Sequence, residues 1–236
     1  MTKNHNLEND LRIDLPVEYG GPISAKTDFI PENNGFHFIN SFIIKPDVLG
    51  INLREWNMGL CGGMCAGAMN RFSKGVSPPH ELIPPVGKTS LYDELIKRQL
   101  KTMSPKTLKK MAEFQGAPDI VNPRRKQSIG QKTQEEWPIL KETIDNNSPT
   151  ILVLIRSIGL LGNPTNNHQV LAVGYDFNQP TKDLRLYVYD PNKPDETHTI
   201  SLNVGLPEGS LDLVDSASTL TRGFFVNPVG VEAAEM

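Results

Sequence analysis

The most informative segment for the fold of this chain is Trp56-Asn57-Met58-Gly59-Leu60-Cys61-Gly62-Gly63-Met64-Cys65-Ala66-Gly67-Ala68-Met69-Asn70-Arg71-Phe72. Its second half places Met64, Ala68 and Phe72 at helical spacing, and the small residues before them predict a helix packed closely against neighbouring backbone. Cys61 lies where the loop meets this helix. Free N–H groups and the helix dipole favour a thiolate at that position, so Cys61 is a candidate nucleophile.

Two residues further along the chain fit the partners that a thiol nucleophile requires. His168 opens a β-type run, Gln169–Tyr175, and Asp190 ends the next run, Leu184–Tyr189. Adjacent antiparallel strands bring the start of one and the end of the next to the same edge of a sheet. An aspartate there can accept a hydrogen bond from the imidazole and fix its tautomer. The pattern therefore predicts a triad of Cys61, His168 and Asp190.

Each member of this triad has an alternative. Cys65 is the other candidate nucleophile, but it would lie about one turn inside the helix, which favours Cys61. Asn192 is the other candidate third member, but it lies beyond Pro191, whose fixed φ turns the chain away. Taken singly, a cysteine in a small-residue helix is more often a packing residue, so the prediction depends on the three residues together.

A zinc site is a further alternative for the cysteines. Cys61 and Cys65 could be combined with His80 or His168 as ligands. A structural zinc site usually has a second close-spaced ligand pair, which this sequence lacks. We therefore predict no metal and no cofactor.

The remaining sequence predicts an α+β domain, because helical patterns fill the first half and strand patterns the second. One helical pattern covers 90–103, with Leu91, Leu95 and Leu100 facing inward. A second covers 104–114 and begins with Ser104 as N-cap. A third follows a capping box formed by Thr133 and Glu136. The predicted strands are 36–42, 150–155, 169–175, 184–189 and 197–202. Residues 1–35 are predicted to be an irregular N-terminal arm and residues 36–236 a single domain.

Composition excludes several classes of function. The 236 residues carry a net charge of −3, which argues against a general nucleic-acid binder. No apolar run approaches the roughly 20 residues of a membrane span. Met1–Asp14 is polar, without the apolar segment of a secretory signal. We therefore expect no nucleic-acid or membrane partner, and a protein that is cytoplasmic or exported by a route independent of a signal peptide.

The three motifs, taken in order, resemble those of papain-like bacteriocin-processing peptidase domains. They are Cys61-Gly62-Gly63-Met64-Cys65-Ala66 opening a helix, His168 heading Val170-Leu171-Ala172-Val173, and Tyr189-Asp190-Pro191. A bacterial group with a Gly-Leu-Cys-Gly-Gly-Met motif is similar as well, and the resemblance covers about residues 36–200. It implies a papain-like fold, with N-terminal helices packed on a C-terminal antiparallel sheet. It also implies a thiol protease that acts on a protein or peptide substrate, with the cysteine before the glycine as nucleophile.

The sequence departs from the family pattern at one position. Papain-like enzymes usually place a glutamine about six residues before the nucleophile, where its amide helps to bind the oxyanion. Glu55 occupies that position here. The Asn57 side chain and the backbone N–H of Gly62 are the candidate replacements, and we expect weak cleavage of generic peptides.

Three functional hypotheses follow. The first is a hydrolase, either a peptidase or an amidase, that uses the Cys-His-Asp triad. The second is a deamidase or transglutaminase-like toxin or effector with the same site, distinguished by whether water or an amine captures the acyl-enzyme. The third is a non-catalytic binding module that retains the fold, which has no reason to keep a cysteine of low pKa.

Overall fold

A computed structural model describes residues 23–44, 56–87, 89–121, 127–159, 162–206, 213–214 and 220–235. The helices within these ranges are α1 (Pro31–Asn34), α2 (Cys61–Ser73), α3 (Ser90–Thr102), α4 (Pro105–Gln115), α5 (Ile129–Asp145) and α6 (Gly230–Ala234). None of these described helices has the length and apolar character needed to cross a bilayer.

An antiparallel sheet of eight strands forms the centre of the molecule, and a two-stranded ribbon lies apart from it. The sheet contains β1 (Ile23–Lys26), β4 (Thr150–Ile155), β5 (His168–Asn178), β6 (Asp183–Tyr189), β7 (Thr197–Asn203), β8 (Leu213–Val214), β9 (Leu220–Thr221) and β10 (Gly223–Val226), and the ribbon consists of β2 (Phe42–Ile44) and β3 (Trp56–Met58). The strand order is β10-β4-β5-β6-β7-β8-β9. The eleven-residue β5 pairs with β4 along its first half and with β1 along its second, on the edge opposite β6.

Alternate residues of the buried strands serve two separate faces of the sheet. On one face, Ile151 of β4 and Leu171 of β5 belong to the same core cluster as Met64 of α2 and Leu95 of α3. On the other face, the strands pack against α5 through a cluster whose members include Trp137, Leu140, Ile144, Leu152, Leu154, Val170 and Ala172. The predicted α+β class is confirmed. The sheet is covered on both faces, and α2 lies between β5 and α3.

The predicted helices and the later strands are confirmed, with two corrections. The capping box of α5 is formed by Ser128 and Gln131, not by Thr133 and Glu136. Thr133 instead lies inside the helix, and its hydroxyl donates to the Ile129 carbonyl. In α3, Leu95 is buried as expected, but Leu100 is 60% exposed. The inward face of α3 consists of Tyr92, Leu95, Arg98, Gln99 and Thr102, because polar side chains there make buried hydrogen bonds.

The predicted strand over 36–42 is wrong. Its aromatic residues Phe36, Phe38 and Phe42 are fully buried, as the alternation predicted, but only Phe42 lies in a strand. The segment from Phe36 to Ser41 forms turns and bends over α2. Within the predicted irregular arm, residues 23–26 form β1 and residues 31–34 form α1. Residues 1–22 lie outside the described residues, and the domain boundary stays a prediction.

Candidate active site

Cys61 is the first residue of α2, and its side chain is 9% exposed at the edge of a cleft. The N-cap, Leu60, has no side chain that could cap the helix. The thiol therefore lies at the N-terminal end of the helix dipole, which favours a thiolate. The His168 side chain and the backbone of Gln169 and Gly62 interact with the thiol and favour its ionised form.

His168 is the first residue of β5, and Asp190 directly follows β6. The register pairs Leu171 with Tyr189, so the start of β5 and the end of β6 lie together, as the sequence predicted. His168 Nε2 is 2.7 Å from Asp190 Oδ1. This contact leaves Nδ1 of the ring for the thiol of Cys61.

The Asp190 carboxylate, and not the Asn192 amide, contacts the His168 ring. The backbone N–H of Asn192 donates at 2.9 Å to Asp190 Oδ1, the same oxygen that contacts His168, and helps to fix the carboxylate. Asn192 was the alternative third member, and its side chain oxygen instead accepts from Asn40 Nδ2. Its role is thus to fix the turn that carries Asp190.

The electrostatics of the site favour an ion pair between thiolate and imidazolium. Burial opposes ionisation of the Cys61 thiol, but the hydrogen bond and charge of His168 outweigh it, so the pKa of Cys61 is lowered. Burial likewise disfavours the charged imidazole, but hydrogen bonds and charges from Asp190 and Cys61 raise the pKa of His168 to about 9. Burial would also raise the pKa of Asp190, yet its contact with His168 keeps it below its ordinary value. The three shifts act in the same sense, because each favours a Cys61 thiolate beside a His168 imidazolium that is paired with the Asp190 carboxylate.

Cys65 lies one turn further along α2 and has a different environment. It is fully buried, and its sulfur lies 3.7 Å from the Gln169 carbonyl oxygen. Burial raises the pKa of Cys65 well above its ordinary value, and the charges of Cys61 and Asp190 raise it further. The two cysteines are thus distinguished by solvent access and by charge.

Gly62 and Gly63 serve packing within the protein, as the small residues of this stretch predicted. A Cβ on Gly62 would lie 2.3 Å from Thr102 Oγ1 and 2.4 Å from Gln169 Nε2. A Cβ on Gly63 would lie 2.2 Å from the Leu95 carbonyl oxygen. The absence of side chains lets α2 press directly against α3, which holds the nucleophile end of α2 in place.

The predicted oxyanion residues have separate outcomes. Asn57 lies in β3, paired with Ile43, and its side chain lies outside the described residues, as does Glu55. The Gly62 N–H is directed at the Cys61 sulfur itself.

His80, named in the zinc alternative, stacks on His37 with ring centroids 6.4 Å apart. Across the described ranges, no group of three His, Cys, Asp or Glu side chains could hold a metal ion.

A cleft of about 370 Å³ opens beside Cys61. One part of its lining is apolar and consists of Leu100, Met103, Met111 and Val153. The other part is polar and consists of Asn40, Gln99, Arg156, Thr165, Asn166, Asn167, Gln169 and Asn192. The triad thus lies at a cleft whose lining combines apolar side chains with amide and other polar groups.

Two residues of the site were missed by the sequence reasoning. Asn40 Oδ1 accepts from the Leu60 backbone N–H, and Asn40 Nδ2 donates to Asn192 Oδ1 at 2.9 Å. Gln99 Oε1 accepts from the Gly63 N–H at 2.9 Å. Asn40 lies in the segment that was predicted to be a strand, and Gln99 lies in a helix 36 residues from Gly63. No local pattern identifies either contact.

No protein-family model matches the sequence, and no curated protein matches it at a significant level.

Proposed function

We propose that the chain is a papain-like cysteine-nucleophile hydrolase, either a peptidase or an amidase. The observation that carries the proposal is the position of the His168 ring, which bridges the Cys61 thiol and the Asp190 carboxylate at the start of α2. The start of α2, the start of β5 and the end of β6 supply one member each, in the order of the papain-like motifs that the sequence resembles.

The chemistry follows from these roles. The Cys61 thiolate attacks the carbonyl carbon of the scissile amide, forming a C–S bond and an oxyanion. As the C–N bond breaks, the His168 imidazolium gives its proton to the leaving amine. Water then attacks the thioester while His168 takes up its proton, and the C–S bond breaks to release the acid and restore the thiolate beside the imidazolium. Asp190 keeps the imidazole oriented and stabilises its charged form.

The cleft supports a peptide or protein substrate. Its apolar lining beside the nucleophile suits an aliphatic side chain near the scissile carbonyl, and the surrounding amides suit a peptide backbone. The thioester intermediate can also be captured by an amine. A transferase and a hydrolase would therefore share the first half of the reaction.

Formation of the acyl-enzyme tests the proposal. Protein treated with p-nitrophenyl acetate should release p-nitrophenolate in a burst and gain one acetyl group, located on Cys61 by peptide mass spectrometry. Cys61→Ala should abolish the burst, and Cys65→Ala should retain it. Acetylation that persists in Cys61→Ala, or that is found on Cys65, would contradict the proposal.

A further inference from the structure

The N–H groups of the first turn of α2 indicate where an oxyanion would bind. A helix leaves its first four N–H groups without partners inside the helix. Here the Leu60 N–H donates to Asn40 Oδ1, the Gly62 N–H contacts the Cys61 sulfur, and the Gly63 N–H donates to Gln99 Oε1. The Cys61 N–H remains, and among the described residues none accepts from it.

The Asn40 side chain binds the backbone of the residue before this unused donor. Because its Oδ1 accepts from Leu60 N–H, the orientation of the carboxamide is fixed, and Nδ2 must lie on the other side. A Cβ on Gly59 would lie 2.6 Å from Asn40 Nδ2, so the amide nitrogen packs on the backbone two residues before the nucleophile. Asn40, Gly59 and Cys61 line the same cleft.

The primary amide of Asn40 has one more N–H than the protein uses. Nδ2 carries two hydrogens, and one of them is donated to Asn192 Oδ1. The second has no acceptor in the part of the chain that the structure describes. Asn192 and Leu60 thus hold the Asn40 amide in the lining of the cleft that Cys61 also lines, and its second N–H stays available.

We propose that Asn40 Nδ2 and the Cys61 backbone N–H together form the oxyanion hole of this site. When the thiolate adds to a carbonyl carbon, the π electrons of the C=O bond move to oxygen, and these two N–H groups donate to the resulting oxyanion. The oxygen lone pair then re-forms the C=O bond, and the bond to the leaving group breaks with its electron pair going to the leaving group, which takes its proton from His168. Asn40 is then a catalytic residue that supplies the side-chain amide, whereas the sequence had suggested Asn57. The inference rests on the proposed function, since it assigns a role within that reaction.

Two electrophiles separate this role from a merely structural one. Acylation by p-nitrophenyl acetate passes through an oxyanion, whereas alkylation by iodoacetamide displaces iodide directly and forms none. Asn40→Ala removes the amide, and Asn40→Asp keeps an acceptor for the Leu60 N–H at constant shape but removes the donors. Asn33→Asp, on the exposed side of α1, is the matched control for the added charge.

We expect acylation of Cys61 to slow by roughly 100- to 1000-fold in both Asn40 variants, the usual effect of losing one oxyanion donor. The alkylation rate and its pH profile should stay near those of wild type in Asn40→Ala, and Asn33→Asp should match wild type in both reactions. The carboxylate of Asn40→Asp should shift the alkylation profile to higher pH, so its acylation is compared with wild type at a pH where the thiol is ionised in both. The inference is overturned if both Asn40 variants acylate at the wild-type rate under those conditions, or if Asn40→Asp alone slows. It is equally overturned if acylation and alkylation fall together in Asn40→Ala, because Asn40 then only holds the loop. Failure of the proposed function gives a different result from failure of the inference alone: Cys61 of the wild-type protein then reacts with neither reagent. The inference fails together with the proposed function in that case.

Discussion

At the scale of single residues, the triad was predictable because each member occupies a position that local sequence reveals. Cys61 precedes two glycines at a helix start, His168 opens a strand and Asp190 closes the next one. Asn40 was not predictable in the same way. Its contacts with Leu60 and Asn192 span 20 and 152 residues, and no periodicity encodes them.

The charge of Asp190 is expected to control the reactivity of the thiol. The raised pKa of His168, about 9, keeps the imidazole protonated at neutral pH, and Asp190 is its buried partner. In Asp190→Asn the imidazolium loses that partner, so the thiolate is stabilised less and needs a higher pH to form. Alkylation of Cys61 by iodoacetamide at pH 6 should slow by roughly tenfold.

Asp195→Asn is the matched control for this substitution. Asp195 also contacts a histidine, His37, but on an exposed part of the surface. Its backbone has a positive φ of 65°, which asparagine tolerates. Alkylation of Cys61 should be unchanged in this variant. An equal effect of the two substitutions would mean that general charge, and not the His168 contact, sets the reactivity.

At the scale of secondary structure, periodicity identified the helices and the longer strands, but short elements escaped it. The strands β1 and β10 have only four residues each, too few for an alternation to be recognised. The predicted strand over 36–42 failed for another reason. An alternation of buried aromatic and exposed residues also fits a chain that turns over a helix, and only pairing with a second strand distinguishes the two.

The contact between α2 and α3 requires glycine at position 63. A Cβ there would meet backbone, the Leu95 carbonyl oxygen at 2.2 Å, so a side-chain rotation cannot relieve the clash. We expect Gly63→Ala to lower the free energy of unfolding by about 1–3 kcal/mol, as overpacking of a buried contact does. Urea denaturation followed by circular dichroism measures this change.

Gly87→Ala is the control for loss of a glycine. Its Cβ would meet nothing closer than a Tyr92 side-chain atom at 4.0 Å, so its stability should stay near that of wild type. If Gly63→Ala were as stable as Gly87→Ala, the close packing of α2 on α3 would not exist in solution.

At the scale of the whole molecule, the last described helix returns to the elements that carry the site. The buried guanidinium of Arg98 in α3 donates to the carbonyls of Ala233 and Ala234 in α6 at 2.6 and 2.8 Å, and to Asn70 Oδ1 in α2 at 3.1 Å. It also pairs with Glu94 at 2.9 Å. This joining of α2, α3 and α6 could not be predicted, because a charged residue within an amphipathic helix is normally expected on the solvent side.

Replacing this arginine should destabilise the molecule. Arg98→Met keeps much of the side-chain volume but leaves buried carbonyls and the Asn70 side chain without their donor. We expect a loss of about 2–4 kcal/mol in the free energy of unfolding. Lys97→Met, an exposed cation on the same helix, should change it by less than about 0.5 kcal/mol. Comparable losses in the two variants, measured by urea denaturation, would show that Arg98 does not join the three helices.

The central claim is that Cys61 is held as a reactive thiolate by His168 and Asp190. The most direct test is the rate of iodoacetamide labelling of each cysteine as a function of pH, quantified by mass spectrometry of the peptides from native protein. We predict that Cys61 reacts with a midpoint below the ordinary thiol pKa, because His168 lowers its pKa, while the buried Cys65 stays unlabelled. Equal labelling of the two cysteines, labelling of Cys65 alone, or a Cys61 that reacts only as an ordinary thiol would contradict the account.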